Sequence, residues 1–224
     1  MPNPWDEIFL DNFSGAYQIA SENYLETSSD LDLRARATCS LLLCNYEDAV
    51  EDFLTLNEIE KKLGRLYDVT YMNIALCYYA MGDNDTAIEY FKFPVINWKK
   101  MGTSDYSAPP AVLFYIGTKL NRQDVRKFAE TELRRRKPEI PLFLLGKISE
   151  QELNKMVEQY PEGAYRDRQQ CKVEFYKAVS QLQNGRTDKY LEHLNRCVEL
   201  KGLYLEFEYY LAKVEFDRYK NIEF

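Results

Sequence analysis

The stretch that decides the fold is Tyr71–Pro94, YMNIALCYYAMGDNDTAIEYFKFP. Tyr71, Ile74, Ala75 and Tyr78 fall at i, i+3, i+4 and i+7, the stripe of one helix face. Gly82 and Asp83 then interrupt the pattern. Glycine tolerates the left-handed backbone that ends a helix, and Asp83 or Asp85 can cap the helix that follows. Ala87, Ile88 and Phe91 form a second stripe. Pro94, with no N–H to donate, marks its end or a kink. Ala75 and Ala87 let two antiparallel helices approach closely while larger side chains fill the space around them. Such a hairpin cannot bury its apolar face alone and needs neighbours.

Taken together, Tyr71, Asn73, Ile74, Ala75, Tyr78, Gly82, Asp83, Ala87, Phe91 and Pro94 resemble the tetratricopeptide repeat. A second, degenerate copy lies 38 residues earlier in LRARATCSLLLCNYEDAVEDF, where Leu33, Ala37, Ala49 and Phe53 take the matching places. Cys44 replaces the glycine there, and Ser40 replaces the aromatic. The following LTLNEIEKKLG is expected to lengthen the second helix of that copy. A weaker copy has PWDEIFLDNF as its first helix, opened by Pro4, and SGAYQIASENYL as its second, with Ala20 and Tyr24 in register.

Beyond residue 100 the turn-rich MGTSDYSAPP is a candidate joint at 101–110. PAVLFYIGTKL and QDVRKFAETELRRR then form a helical pair with Gly117 as the small residue. KPEIPLFLLGK ends in a short helical run. Ser149 and Glu152 have the spacing of a capping box. CKVEFYKAVSQLQNGRTDKYLEHLNRCVELKG repeats the hairpin logic with Ala178 small and Gly185 at the break, but Tyr190 stands where the second helix should carry a small residue. LYLEFEYYLAKVEFDRYK is the last helix. The expected fold is all-α: ten to twelve helices, arranged as antiparallel hairpins stacked in a short right-handed solenoid like that of tetratricopeptide repeats. It is read as one domain over 1–224.

Composition agrees with a folded helical chain. Of 224 residues, 46% are hydrophobic and 29% charged, and with only 9 Gly and 8 Pro the loops must be short. No window approaches the 18 apolar residues of a membrane span, and MPNPWDEIFLDNFSG lacks the features of a secretory signal. The five cysteines, Cys39, Cys44, Cys77, Cys171 and Cys197, are odd in number and form no CxxC. Free thiols in a reducing cytosol fit them, so a cytoplasmic location is expected.

The net charge is −7, but residues 1–100 hold 8 Lys+Arg against 17 Asp+Glu. That acidic half disfavours phosphate backbones and favours a basic partner, by speeding encounter. With His193 the sole histidine, zinc sites and His-based nucleophile pairs have little to build on. It lies between Leu191 and Leu194 and reads as a surface or edge residue. Cys39 and Cys44 read as core or groove thiols. Glu47–Asp48 and Glu51–Asp52 flank an apolar stripe and read as a solvated helix face, with a patch for a basic partner as the alternative. Arg134, Arg135, Arg136 and Lys137 complement a helix dipole. No GxGxxG, GxxxxGK[ST] or GxSxG occurs. No catalytic residue, cofactor or metal is expected.

The resemblance implies a concave groove lined by the first helix of each hairpin. The residues it would place there are Met72, Asn73, Leu76 and Tyr79, with Arg34, Thr38 and Leu41 from the preceding copy. Arg34 and Asn73 occupy two positions that grip a terminal carboxylate in some members. Thr38 departs from the expected asparagine, so a full clamp is not expected. On this reading Tyr79→Ala and Arg34→Glu weaken partner capture and leave melting nearly unchanged. The last helix carries Tyr204, Phe207, Leu211 and Val214 on one face and Leu205, Tyr209 and Phe216 on others. Either the chain curls to bury it, or Tyr204, Phe207, Tyr209 and Phe216 meet a partner, a second copy included. The expected function is a non-enzymatic module that binds a basic protein or peptide, such as a bacterial toxin-immunity protein. An adaptor or scaffold subunit is the alternative, and an RNA-binding or catalytic helical repeat a more distant one; neither nucleic acid nor membrane is an expected partner.

Overall fold

A computed structural model describes residues 1–101, 108–200, 202–204 and 206–220. Among these residues there are thirteen α-helices and one short 3-10 helix, with no strand. The chain divides into two compact units, Met1–Tyr106 and Ser107–Phe224. Most of the expected joint at 101–110, residues 102–107, lies outside the described residues.

The first unit holds α1 (Pro4–Phe9), α2 (Phe13–Thr27), α3 (Asp30–Leu42), α4 (Tyr46–Lys62), α5 (Asp68–Met81) and α6 (Asn84–Ile96). Each packs against the next in chain order. The helix starts follow from capping chemistry. The Asn3 side chain accepts from the Trp5 N–H ahead of Pro4, and the Asp83 side chain accepts from the Thr86 N–H at 3.2 Å. Gly82, at φ 88°, ends α5 in the left-handed region. Cys44 occupies the equivalent turn at φ 62°, where a side chain costs roughly 1–2 kcal/mol. Pro94 does not end α6, because the helix continues to Ile96.

Small and large residues meet inside this unit as the stripes require. Ala16, Ala20, Ala37, Ala49, Ala75 and Ala87 have no exposed surface, and Leu33, Phe53, Leu56, Ile74 and Phe91 fill the space between helices. Burying each such large side chain contributes about 1.5–3 kcal/mol. Tyr71 stacks on Phe93 with ring centroids 4.3 Å apart, tying α5 to the last turns of α6.

The second unit holds α7 (Ala108–Lys119), α8 (Gln123–Leu133), α9 (Glu139–Leu144), α10 (Glu150–Glu158), α11 (Ala164–Gln183), α12 (Thr187–Glu199) and α13 (Phe207–Lys220). Its centre is α11, which packs against α7, α9, α10, α12 and α13. Gly117 lets α7 lie directly on α8: a Cβ there would stand 2.7 Å from the Arg126 backbone nitrogen. The Ser149–Glu152 capping box forms in both directions. Tyr190 is wholly buried despite its size. Its hydroxyl meets the Tyr115 hydroxyl at 3.2 Å and donates to Glu215 at 3.2 Å, so the large ring is accommodated together with partners for its polar end.

Candidate functional site

Among the seven expected groove residues, burial is the common feature. Leu76 and Tyr79 have no exposed surface, Met72 and Leu41 are 3% exposed, Thr38 5% and Asn73 9%. From Thr70 to Cys77, α5 is buried on every side, the character of a core helix rather than a groove wall. The Thr38 hydroxyl is turned back onto the Arg34 carbonyl at 2.8 Å. Only Arg34 keeps appreciable exposure, and its charge is already engaged. Its Nη2 donates to Glu60 Oε1 at 2.6 Å, across from α3 to α4. The expectation of an accessible row is thus met by side chains that face the interior of the folded chain.

Glu60 is itself almost fully buried. It also accepts from the Thr70 hydroxyl at 3.1 Å. Burial pushes its carboxyl up, against the pull of Arg34 and Thr70. One turn earlier Asn57 is buried too. Arg36, two residues further along α3, holds Asp52 through two nitrogens at 2.6 and 2.7 Å and lies over the Tyr24 ring at 5.0 Å. The Asp52 hydrogen bond raises the Arg36 pKa. Asp52 therefore braces α3 against α4.

What remains outward is acidic. Along α4, Glu47, Asp48, Glu51 and Glu58 are exposed, as are Asp83, Asp85 and Glu89 at the turn into α6 and along it. Glu58 is bridged by Lys61 at 2.8 Å, and Glu89 by Lys92 at 3.3 Å. The Lys61 hydrogen bond lowers the Glu58 pKa. Exposed pairs of this kind are worth little to stability, so Glu58 and Glu89 shape the surface field more than the fold.

In the second unit α13 turns most of its apolar residues inward. Leu211 and Ala212 have no exposed surface, Tyr204 is 5% exposed, and Tyr210 and Val214 are buried. Phe207, Tyr209 and Phe216 are half-buried. Tyr209 meets Tyr204 edge-on at 5.9 Å, and Lys220 lies over the Phe216 ring at 4.4 Å. Of the two expectations for this helix, curling of the chain accounts for Leu211 and Val214, since α13 packs on α11 and α12; Tyr204 is buried just ahead of it, and Leu205 lies outside the described residues.

Four buried carboxylates in this unit were not anticipated. Glu174 on α11 accepts from Gln170 at 2.8 Å and Lys177 at 3.1 Å through one oxygen, and meets His193 Nδ1 at 2.7 Å through the other. Burial alone would raise its pKa, but His193 and Lys177 prevail and hold the carboxyl below its usual value. His193 is an edge residue, as its sequence position suggested. Glu206 is bonded by Arg168 and by Lys172 at 3.2 Å. Glu208 accepts from the Tyr176 hydroxyl at 2.9 Å, and complete burial pushes it up. Glu215 is bridged by Lys119 at 2.6 Å and Arg218 at 3.1 Å. The signal for three of them was available. Glu174 shares a stripe with Cys171, Phe175 and Ala178, and Glu208 and Glu215 share one with Leu211 and Ala212. An acid at an apolar stripe position must find cations or hydroxyls inside.

These features define a helical repeat protein whose hairpins are joined by short turns. Residues 70–92, which form nearly all of α5 and most of α6, match the tetratricopeptide repeat family model. A search of curated proteins returns no match to the chain. Among the described residues, no helix is long and apolar enough to cross a membrane.

Proposed function

We propose that this chain is a non-enzymatic protein-interaction module that binds a basic protein or peptide through the exposed acidic side chains of its first unit. The observation that carries the reading is the tetratricopeptide repeat at 70–92, a family whose stacked hairpins serve as surfaces for other proteins. The chemistry of the partner follows from charge. Glu47, Asp48, Glu51 and Glu58 are exposed on one helix, and Asp83, Asp85 and Glu89 on the next hairpin. A basic partner is drawn to such a field and docks faster at low salt. The role first expected of Met72, Leu76 and Tyr79 passes to these acids, because a buried side chain cannot touch a partner unless the fold opens.

In its narrower form the module is a cytosolic inhibitor, such as a bacterial toxin-immunity protein, that covers the active site of a basic toxin. The acidity of its first unit supports that form. Affinity capture from the native host at low and moderate salt, followed by mass spectrometry, tests the proposal. A basic protein retained at low salt and released as salt rises is the expected result. Retention of nucleic acid, or of acidic proteins alone, would overturn it.

A further inference from the structure

The second unit holds a pair of thiols for which the binding role has no use. Cys171 on α11 and Cys197 on α12 have no exposed surface, and both are free thiols. Their Sγ atoms stand 2.8 Å apart. A disulfide bond is about 2.05 Å long, so bonding requires under about 1 Å of closure. The two positions face each other across packed antiparallel helices, Cys171 in the first half of α11 and Cys197 near the end of α12. They lie at the open end of the hairpin, opposite the turn at Gly185. Cys197 Sγ also approaches the carbonyl oxygens of Cys171 at 3.6 Å and of Glu208 at 3.8 Å, which fixes its sulfur between α11 and the start of α13.

We propose that Cys171 and Cys197 are an oxidation site, a thiol pair that a hydroperoxide converts into an intramolecular disulfide stapling α11 to α12. In the first step one thiolate attacks the distal peroxide oxygen. The O–O bond breaks, the alcohol or water leaves with a proton, and the sulfur becomes a sulfenic acid. The second sulfur then attacks the sulfenyl sulfur, its S–O bond breaks, and water departs with the second thiol proton. Two thiols and one hydroperoxide thus give one disulfide, one alcohol or water, and one further water. The peroxide is reduced by the two electrons the thiols lose.

The surroundings set the rate. The hydrogen bond to Cys197 and burial both push the Cys171 thiol up, so thiolate is scarce at neutral pH and the reaction is slow and faster in base. Cys44 is the exposed cysteine and the one through which two molecules could cross-link.

The test uses the full chain carrying Cys44→Ser, incubated folded with excess hydrogen peroxide and quenched. It is then unfolded with iodoacetamide and mapped by mass spectrometry. The expected result is the loss of two alkylation sites and a peptide pair joined through Cys171 and Cys197, both reversed by dithiothreitol. Full alkylation of both cysteines after treatment would overturn the proposal. Sulfinic acid at either position without a bridge, or a bridge to Cys39 or Cys77 instead, would do the same. Cys197→Ser in the same background removes the joined peptide. The parent protein alone decides the matter if that variant fails to fold.

Discussion

The Arg34 guanidinium on α3 donates to Glu60 on α4 at 2.6 Å, and the glutamate it serves is 2% exposed. This pairing changes what an arginine at that position does. Its charge works against the burial that pushes the Glu60 carboxyl up, and little of it is left for a visitor. Removing one partner of a buried pair costs about 3–5 kcal/mol, far more than removing both. Arg34→Glu places a second carboxylate beside Glu60 and is expected to lower stability toward that range, with some relief because Arg34 is 23% exposed. Urea denaturation reads the effect. The double change Arg34→Met with Glu60→Leu should recover most of the loss, and no recovery would argue against the pairing.

Gly117 is expected to tolerate no side chain. A methyl group there meets the Arg126 backbone at 2.7 Å, so α8 must shift away from α7 or the backbone must bend. Overpacking of this kind costs typically about 1–3 kcal/mol. Gly117→Ala should lower the thermal midpoint by several degrees. Gly82→Asn, at a left-handed position with nothing near, should cost much less because asparagine tolerates that backbone. Equal losses from the two changes would contradict the helix–helix contact.

Glu208 gives a pH dependence with a definite sign. Burial raises its folded pKa, so above the ordinary carboxylate value of about 4.3 the folded protein holds more proton than the unfolded one. Stability from this group is therefore present at low pH and lost as pH rises through the folded pKa. Glu208→Gln keeps an acceptor for Tyr176 and removes the titration. Its urea midpoint relative to the parent should improve as pH is raised from weakly acidic to weakly alkaline. A difference that stays constant with pH would show that Glu208 does not titrate differently in the folded chain.

Tyr190→Phe removes the hydroxyl that bridges Tyr115 and Glu215 and leaves the ring in place. The loss of a buried hydrogen bond with a charged acceptor is expected to cost about 1.5–3 kcal/mol. Chemical denaturation measures it. In a Tyr115→Phe background the cost should be smaller, because one of its partners is already gone.

The hairpin at 71–94 was legible because its signals agree: two stripes, small residues at Ala75 and Ala87, a glycine where the first helix ends, and Asp83 or Asp85 to cap the second, of which Asp83 does so. Gly117 and the capping box at Ser149 were legible for the same reason, since each is a local rule with one geometric solution. Burial of α5 on all sides was harder to read, because a stripe argument gives each helix one inner face. The clue was an absence of charge: no Asp, Glu, Lys or Arg lies between Asp68 and Asp83. The ion pairs were hidden for another reason. Arg34–Glu60 and Lys119–Glu215 join residues 26 and 96 positions apart, and only the packed helices bring them together.

The central claim is that the exposed acids of the first unit are the surface a basic protein reads. The most direct measurement is affinity capture with the parent chain beside a variant carrying Glu47→Gln, Asp48→Asn, Glu51→Gln and Glu58→Gln. Thermal melting of both is recorded in parallel. The account predicts that the variant melts like the parent and loses most of a basic partner that the parent retains at low salt. Undiminished capture by the equally stable variant would contradict it.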